Sequence, residues 1–315
     1  MPSPHAHCED PCWILLGPTA GGKTAVSLEL AQRHPVEILS VDSMQVYRDM
    51  DIGTAKPSPE EMERVPHHMI DVVDPEEKFN AARFRRMALE AMEGIRQRGR
   101  RPLLLCGTPF YLKALLWGLF EGPGADEDIR ARLRREAEEH GSAHLHRRLA
   151  EVDPESAERI DPNDMKRVER ALEVYELTGR PISERQDQFE GAPEIDHVSV
   201  GLKREREELY ERISRRVDRM MREGLVEEVR SLEARLGPQA GQAVGYKEII
   251  SYLEGEISLE EATRLIKRNT RHLAKSQMSW FGRFPIHRWI EISEGCSAVE
   301  IAERCENAFL QAKGR

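Results

Sequence analysis

Gly17-Pro18-Thr19-Ala20-Gly21-Gly22-Lys23-Thr24 decides the fold. The apolar run Trp13-Ile14-Leu15-Leu16 precedes it, and the helical pattern Ala25-Val26-Ser27-Leu28-Glu29-Leu30-Ala31 follows it. Strand, glycine-rich loop and helix form the setting in which G-x-x-x-x-G-K-[ST] cradles phosphate. Gly17, Gly21 and Gly22 let the backbone wrap closely, with Pro18, Thr19 and Ala20 completing a loop whose N–H groups can turn toward an anion. The helix start adds partial positive charge. In this arrangement Lys23 reaches the outer phosphate and Thr24 ligates a Mg²⁺ bridging phosphate oxygens. The motif does not say which phosphate compound binds.

Working outward, Val36–Val41 is a second β-branched, apolar run, with Asp42 and Ser43 at its C-terminal end. Ligands of open α/β sheets sit at that edge. Residues 45–59, with Gly53, Pro57 and Pro59, read as a loop, and 67–73 as a short strand. A helix is expected over 79–98, closed by Gly99; the buried strand Pro102–Cys106 follows, then Gly107-Thr108 and a helix through Leu119. The pattern β-α-β-β-α-β-α is that of an α/β, P-loop NTPase-like, doubly wound parallel sheet. Gly122-Pro123-Gly124 interrupts it, and no strand signal returns until 197–202. Residues 125–193 therefore read as an all-helical domain inserted into the core, whose two parts are residues 1–124 and 194–315. In the second part, helices are expected over 205–223, 226–236, 246–254 and 259–280. A last strand at 285–290 and a closing helix at 297–313 complete it.

With 39% apolar and 33% charged residues, the chain has the balance of a soluble, helix-rich globular protein. No apolar run approaches the roughly 18 residues of a membrane span. Met1-Pro2-Ser3-Pro4-His5 lacks the basic and apolar regions of a secretory leader. The 5 cysteines are scattered and odd in number, which suits reduced thiols and a cytoplasmic location. His5, His7, Cys8 and Cys12 match no zinc spacing, so a frayed tail is the expectation there. The net charge of −9 excludes a protein that is basic all over. Basic residues are nonetheless bunched at 83–86, 130–135, 212–222 and 264–275, which allows a nucleic-acid partner; charge runs on helices are also commonly solvated faces.

An NTP hydrolase needs an aspartate after an apolar strand to hold Mg²⁺. Leu103-Leu104-Leu105-Cys106-Gly107-Thr108 offers none, which leaves Asp42 as the acid at a strand end near the phosphate loop. Position alone permits two roles for it, a loop cap or a base aimed at a substrate beside the phosphates.

Seven blocks, in order, carry a family resemblance: GPTAGGKT, VDSMQVYRDMDIGTAKPS, HHMIDVVDP, CGTPFYLKALLWGL, DPNDMKRVERALEVYELTGRPIS, VGYKEI and TRHLAKSQMSWF. From about residue 12 to 290 the chain resembles the bacterial tRNA dimethylallyltransferases. The resemblance implies transfer of a dimethylallyl group from dimethylallyl diphosphate to N6 of the adenosine following the tRNA anticodon, with Mg²⁺ as cofactor. It also implies that the loop holds prenyl diphosphate rather than ATP, which accounts for the missing acid. Asp42 matches the family's general base, and Lys23, Thr24 and Arg216 match its diphosphate-neutralising groups. Thr108 matches a contact to the target nucleotide, as do Ser43, Met44 and Gln45 beside Asp42. Arg130, the segment Lys166-Arg167-Val168-Glu169-Arg170, and Gln242, Gly245, Tyr246 and Lys247 match contacts to the anticodon stem-loop. Arg264, Lys267, Arg268, Arg271 and Lys275 share a helical face suited to phosphate contacts, with Arg268 and Arg271 its central pair. A monomer is expected, with no membrane partner. Some positions depart from the family: Gly21 stands for serine, Cys106 for glycine, Pro109-Phe110 for the pair that usually follows Thr108, and Lys166 for glutamine. The first predicts a floppier loop with the same amide cradle. The last replaces an amide able to read a base edge by a donor-only ammonium.

Overall fold

Cys12–Leu16 (β1) is buried from end to end because neighbours cover it on both edges. It lies between β4 (Arg101–Cys106) and β5 (His197–Arg204), all parallel, with Trp13 opposite Leu103 on one side and Val198 on the other. With β2 (Val36–Val41), β3 (His67–His68) and β6 (Arg288–Ile292) the sheet order is β3-β2-β4-β1-β5-β6, and every pairing is parallel. A continuous apolar run rather than alternation is what a strand covered on both faces requires. The computed structural model describes residues 10–119, 122–184 and 191–312, so the tail positions His5, His7 and Cys8 lie outside the described residues.

The chain divides into two compact units, one of Met1–Leu116 with Ile195–Arg315 and one of Trp117–Glu194. The first holds the sheet with α1 (Lys23–Arg33), α2 (Pro59–Arg64), α3 (Ala81–Gln97) and α4 (Pro109–Trp117), the last of these ending at the unit boundary. After β5 come α9 (Arg206–Glu223), α10 (Leu225–Leu232), α11 (Tyr246–Leu253), α12 (Leu259–Phe281) and α13 (Ala298–Ala312). The closing helix returns to the first strand: Phe309 of α13 stacks on Trp13, with centroids 4.6 Å apart and planes 7° from parallel. The second unit consists of α5 (Glu127–His140), α6 (Ser142–Val152), α7 (Pro154–Arg159) and α8 (Met165–Thr178) around Leu133, Leu145, Leu149, Val168 and Leu172.

Local physics moved several boundaries. The expected strand at 67–73 stops after His68, because Met69 (φ 65) and Asp71 (φ 54) are left-handed and end the extended run. Residues 59–64 form α2, which the loop reading does not contain. Pro59 opens the helix, Ser58 Oγ accepts from the Glu61 amide, and Glu61 in turn accepts from the Ser58 amide. The last strand starts at Arg288 rather than 285, since Pro285 has no N–H and Ile286 turns back to the Phe284 carbonyl at 2.9 Å. The helix expected over 226–236 ends at Leu232 and passes into a 3-10 turn over Glu233–Arg235. No helix among the described residues is long and apolar enough to cross a membrane.

Candidate functional site

The C-terminal ends of β1, β2 and β4 open on one cleft of about 630 Å³. From β1 comes the glycine-rich loop. Its tight start is a Gly21 N–H donated to the Pro18 carbonyl at 3.1 Å, and a Cβ at 21 would lie 2.8 Å from that oxygen. With glycine at 21 the backbone closes tightly on that carbonyl, and a side chain there would need the turn to shift. Gly22 (φ 101) is left-handed, and so is Ala20 (φ 60), a strained conformation for alanine. Two arginines, one at the end of β5 and one on α9, hold the loop from outside: Arg212 Nε donates to the Ala20 carbonyl at 2.9 Å and Arg204 Nε to that of Gly21 at 3.1 Å.

Lys23 heads α1, and its Nζ donates to the carbonyls of Gly17 at 2.8 Å and Pro18 at 3.0 Å. Burial lowers its pKa to about 8; Arg216 pushes the same way, while Cys106 and Asp42 oppose it. Arg216 on α9 lines the cleft with Arg212, Arg215 and Arg219, and burial brings its pKa down to about 10. Although Arg219 also lies 3.7 Å from Glu223, a wall so rich in guanidiniums is built for an anion. Thr24 lines the same cleft, and its hydroxyl makes no hydrogen bond among the described residues. No cluster of three or more His, Cys, Asp or Glu residues exists among them that could hold a metal. A lone hydroxyl beside a phosphate cradle suits Mg²⁺, which keeps several waters and takes most other oxygens from substrate phosphates.

Asp42 follows β2. Its Oδ1 accepts from the amides of Met44 at 2.8 Å and Gln45 at 3.2 Å, which fixes the carboxylate plane. Gly107, at the end of β4, stands directly behind: a Cβ there would lie 2.8 Å from Asp42 Oδ2. The next residue, Thr108, accepts from the Ser43 amide at 3.0 Å, so the two expected nucleotide contacts share one corner. Burial pushes the Cys106 thiol far up, leaving a neutral packing group behind them. Gln45 is committed to the protein: it accepts from Ser40 Oγ at 2.8 Å and donates to the carbonyls of Ala55 at 3.2 Å and Thr54 at 3.4 Å.

Other expected positions are placed differently. In the helical unit Arg130 grips the fully buried Glu173 through Nε at 2.8 Å and Nη2 at 2.9 Å, and Arg170 reaches the same carboxylate at 2.6 Å. Burial drives the Glu173 carboxyl up, but these hydrogen bonds and that of the Asp126 amide outweigh it and hold the group below its ordinary range. Val168 is packed in that unit's core and Glu169 is taken up by Arg134 at 2.8 Å, while Lys166 and Arg167 face solvent. Tyr246 is also fully buried and donates its hydroxyl to Glu228 at 2.5 Å, so neither it nor Val168 presents side-chain surface to RNA. Gly245 lines the cleft, Gln242 is exposed, and Lys247 lies 3.8 Å from Glu248. Along α12, Arg264 pairs with Glu261 and Lys267 with Asp218, whereas Arg268 and Lys275 are exposed and make no ion pair with a carboxylate among the described residues. Arg271 donates to Ser214 Oγ at 2.9 Å and lies 5.3 Å from the Tyr210 ring centroid, beside an open hollow of about 340 Å³.

Three groups escape the sequence reading. Glu228 gathers the amides of Asp51 (3.0 Å), Ile52 (2.7 Å) and Gly53 (3.0 Å), fixing the loop that lines the cleft. Arg212 was legible only as one member of a basic run. Gln277, a polar residue on the buried stripe of α12 with Ala262, Ile266 and Ala274, carried the clearest unread signal.

The family profile described as IPP transferase matches residues 45–284, and one described as isopentenyl transferase matches residues 11–74. The chain is 50% identical to a tRNA dimethylallyltransferase of Geobacter sulfurreducens, over 88% of this chain and 91% of that one. A homologue of the same description from Desulforudis audaxviator is 50% identical over 96% and 98%. Among solved structures it is similar to the full-length tRNA isopentenylpyrophosphate transferase of Bacillus halodurans, at 40% identity and a TM-score of 0.70, covering 97% of this chain and 99% of that one. A eukaryotic dimethylallyltransferase captured acting on tRNA superposes with a TM-score of 0.74 at 28% identity, covering 96% and 77%.

Proposed function

The chain belongs to the IPP transferase family, and on that premise we propose that it transfers a dimethylallyl group from dimethylallyl diphosphate to N6 of the adenosine 3′-adjacent to the tRNA anticodon, releasing diphosphate. The observation that carries this reading is the sharing of one cleft by the loop around Lys23 and the carboxylate of Asp42, with no second acid at the end of β4. That arrangement serves a reaction with an anionic leaving group and an amine nucleophile.

In the transfer the amine nitrogen attacks the allylic carbon, the carbon–oxygen bond to diphosphate breaks, and the amine gives up a proton. Asp42 takes that proton; with Oδ1 occupied by two amides, Oδ2 is the oxygen left for the amine. An exocyclic amine is a poor nucleophile, and accepting its proton as the bond forms is worth roughly 10²–10⁴ in rate. Thr108, tied to the Ser43 amide, orients the base at the same corner. Lys23, Arg216 and the loop amides take up charge growing on the departing diphosphate, an interaction stronger in the transition state than in the ground state. Thr24 would hold Mg²⁺ together with diphosphate oxygens and water; the ion would supply further neutralisation of that charge. The enzyme acts as a cytoplasmic monomer, and exposed Arg268, Lys275, Lys166 and Arg167 meet the phosphates of the anticodon stem-loop.

Labelled dimethylallyl diphosphate offered with either unmodified tRNA or AMP tests the reading. Label is expected in tRNA, at N6 of the adenosine after the anticodon. Label in AMP and not in tRNA would make this a nucleotide prenyltransferase instead.

A further inference from the structure

Gln277 is the one buried polar side chain of α12, and it spans the floor of the cleft. Its Oε1 accepts from the Thr19 amide in the phosphate loop at 2.8 Å, and its Nε2 donates to the Gly107 carbonyl at 2.6 Å. These two backbone groups belong to the two halves of the proposed chemistry. Thr19 sits in the loop that takes the leaving group. Gly107 is the residue against which Asp42 rests, since even a methyl group at its Cα would meet Oδ2 at 2.8 Å. A single planar amide, 258 residues along the chain from Thr19, therefore fixes the spacing between the diphosphate loop and the turn behind the base.

From this geometry we infer that Gln277 is a positioning residue for the transfer step, an inference that rests on the function proposed above. The bridge needs one acceptor and one donor at a set separation. A neutral amide supplies both. A carboxylate keeps the acceptor toward Thr19 but turns a second oxygen on the Gly107 carbonyl, and it adds negative charge beside the anion site. Methionine fills the volume and makes neither bond. Because α12 also carries exposed Arg268 and Lys275, the same helix that faces RNA carries the strut between the donor loop and the base. Displacement of reacting groups by about 1 Å is enough to cost on the order of 10²-fold in rate.

The test compares single-turnover transfer by the wild-type enzyme, Gln277→Met and Gln277→Glu, with dimethylallyl diphosphate affinity and circular dichroism measured on each. Gln277→Met should lose on the order of 10²-fold in rate while keeping its fold and prenyl diphosphate affinity within a few-fold. For Gln277→Glu, the ratio to wild type should climb as the pH is lowered from 8 to 6, because a protonated carboxyl again offers one donor and one acceptor. A folded Gln277→Met within about threefold of wild type, or a Gln277→Glu ratio flat across that range, overturns the inference. If the wild-type enzyme itself transfers no prenyl group, the functional reading falls and takes this inference with it. If wild type is active and the variants are unimpaired, the inference alone falls.

Discussion

Lys23 is folded back on Gly17, its Nζ donating to that carbonyl at 2.8 Å from within the loop it is expected to serve. The ammonium is thereby held in the cradle by neutral acceptors, and burial lowers its pKa to about 8. The group is charged below that value and neutral above it, and a diphosphate binds the charged form. Affinity for dimethylallyl diphosphate should accordingly be level below pH 8 and weaken by up to about tenfold per unit above it. Titration calorimetry from pH 6.5 to 9.5 reads this directly. Lys23→Met should bind weakly and without the inflection; an inflection that survives in that variant assigns it to another group.

Asp42 depends on the absence of a side chain at Gly107. Asp42→Asn should keep diphosphate binding and lower the single-turnover rate by about 10²-fold or more, since an amide cannot accept the proton. Gly107→Ala pushes a methyl group to 2.8 Å from Oδ2 and should lower the same rate with little change in donor affinity. Equal rates in Gly107→Ala and wild type would show that the carboxylate moves aside without loss.

Arg268 and Lys275 are exposed α12 cations that make no ion pair with a carboxylate among the described residues, whereas Arg264 and Lys267 are already paired and Arg271 is turned to Ser214. Each phosphate contact removed should flatten the plot of log affinity against log salt by about 0.7–0.9. The double variant Arg268→Ala/Lys275→Ala should thus weaken tRNA binding and reduce the slope by about 1.4–1.8, with Arg264→Ala changing it little. Should the double variant keep the wild-type slope, this face is simply solvated.

Glu173 is fully buried between Arg130 and Arg170, whose side chains are 26% and 29% exposed. Breaking a fully dry ion pair costs about 3–5 kcal/mol, and partial exposure of the guanidiniums brings the expectation for Glu173→Gln to roughly 2–3 kcal/mol. The carboxyl is held below its ordinary range, so this contribution is complete above about pH 4.3 and is lost as the pH falls below it. Arg130→Gln should show a comparable loss in urea unfolding. If Arg130→Gln weakened tRNA binding while leaving stability intact, the arginine would be an RNA contact and not a brace.

The arrangement of strand, glycine-rich loop and helix was legible from residues 13–31 alone, because a phosphate cradle is a local object. All its donors come from consecutive backbone groups, and its glycines answer to local steric demands. The buried strands followed from continuous apolar runs, and the helices between 127 and 178 from a long stretch without strand signals. Asp42 could be found as the acid at a strand end; that Gly107 stands behind its carboxylate depends on the pairing of β2 with β4.

What tertiary structure decided were the partners of groups distant in sequence. Gln277 touches Thr19 and Gly107, Arg212 holds the Ala20 carbonyl, and Glu228 collects the amides of 51–53; no local pattern encodes these bonds. The same holds for the basic clusters, where composition counts charges but only packing pairs them. Arg130 and Arg170 are spent on Glu173, while Arg268 and Lys275 face solvent. A sequence sets which side chains can be charged and which backbone can bend. Whether a charge is neutralised depends on groups brought within a few ångströms by the fold, and the energy of that encounter falls off with distance in space, not along the chain.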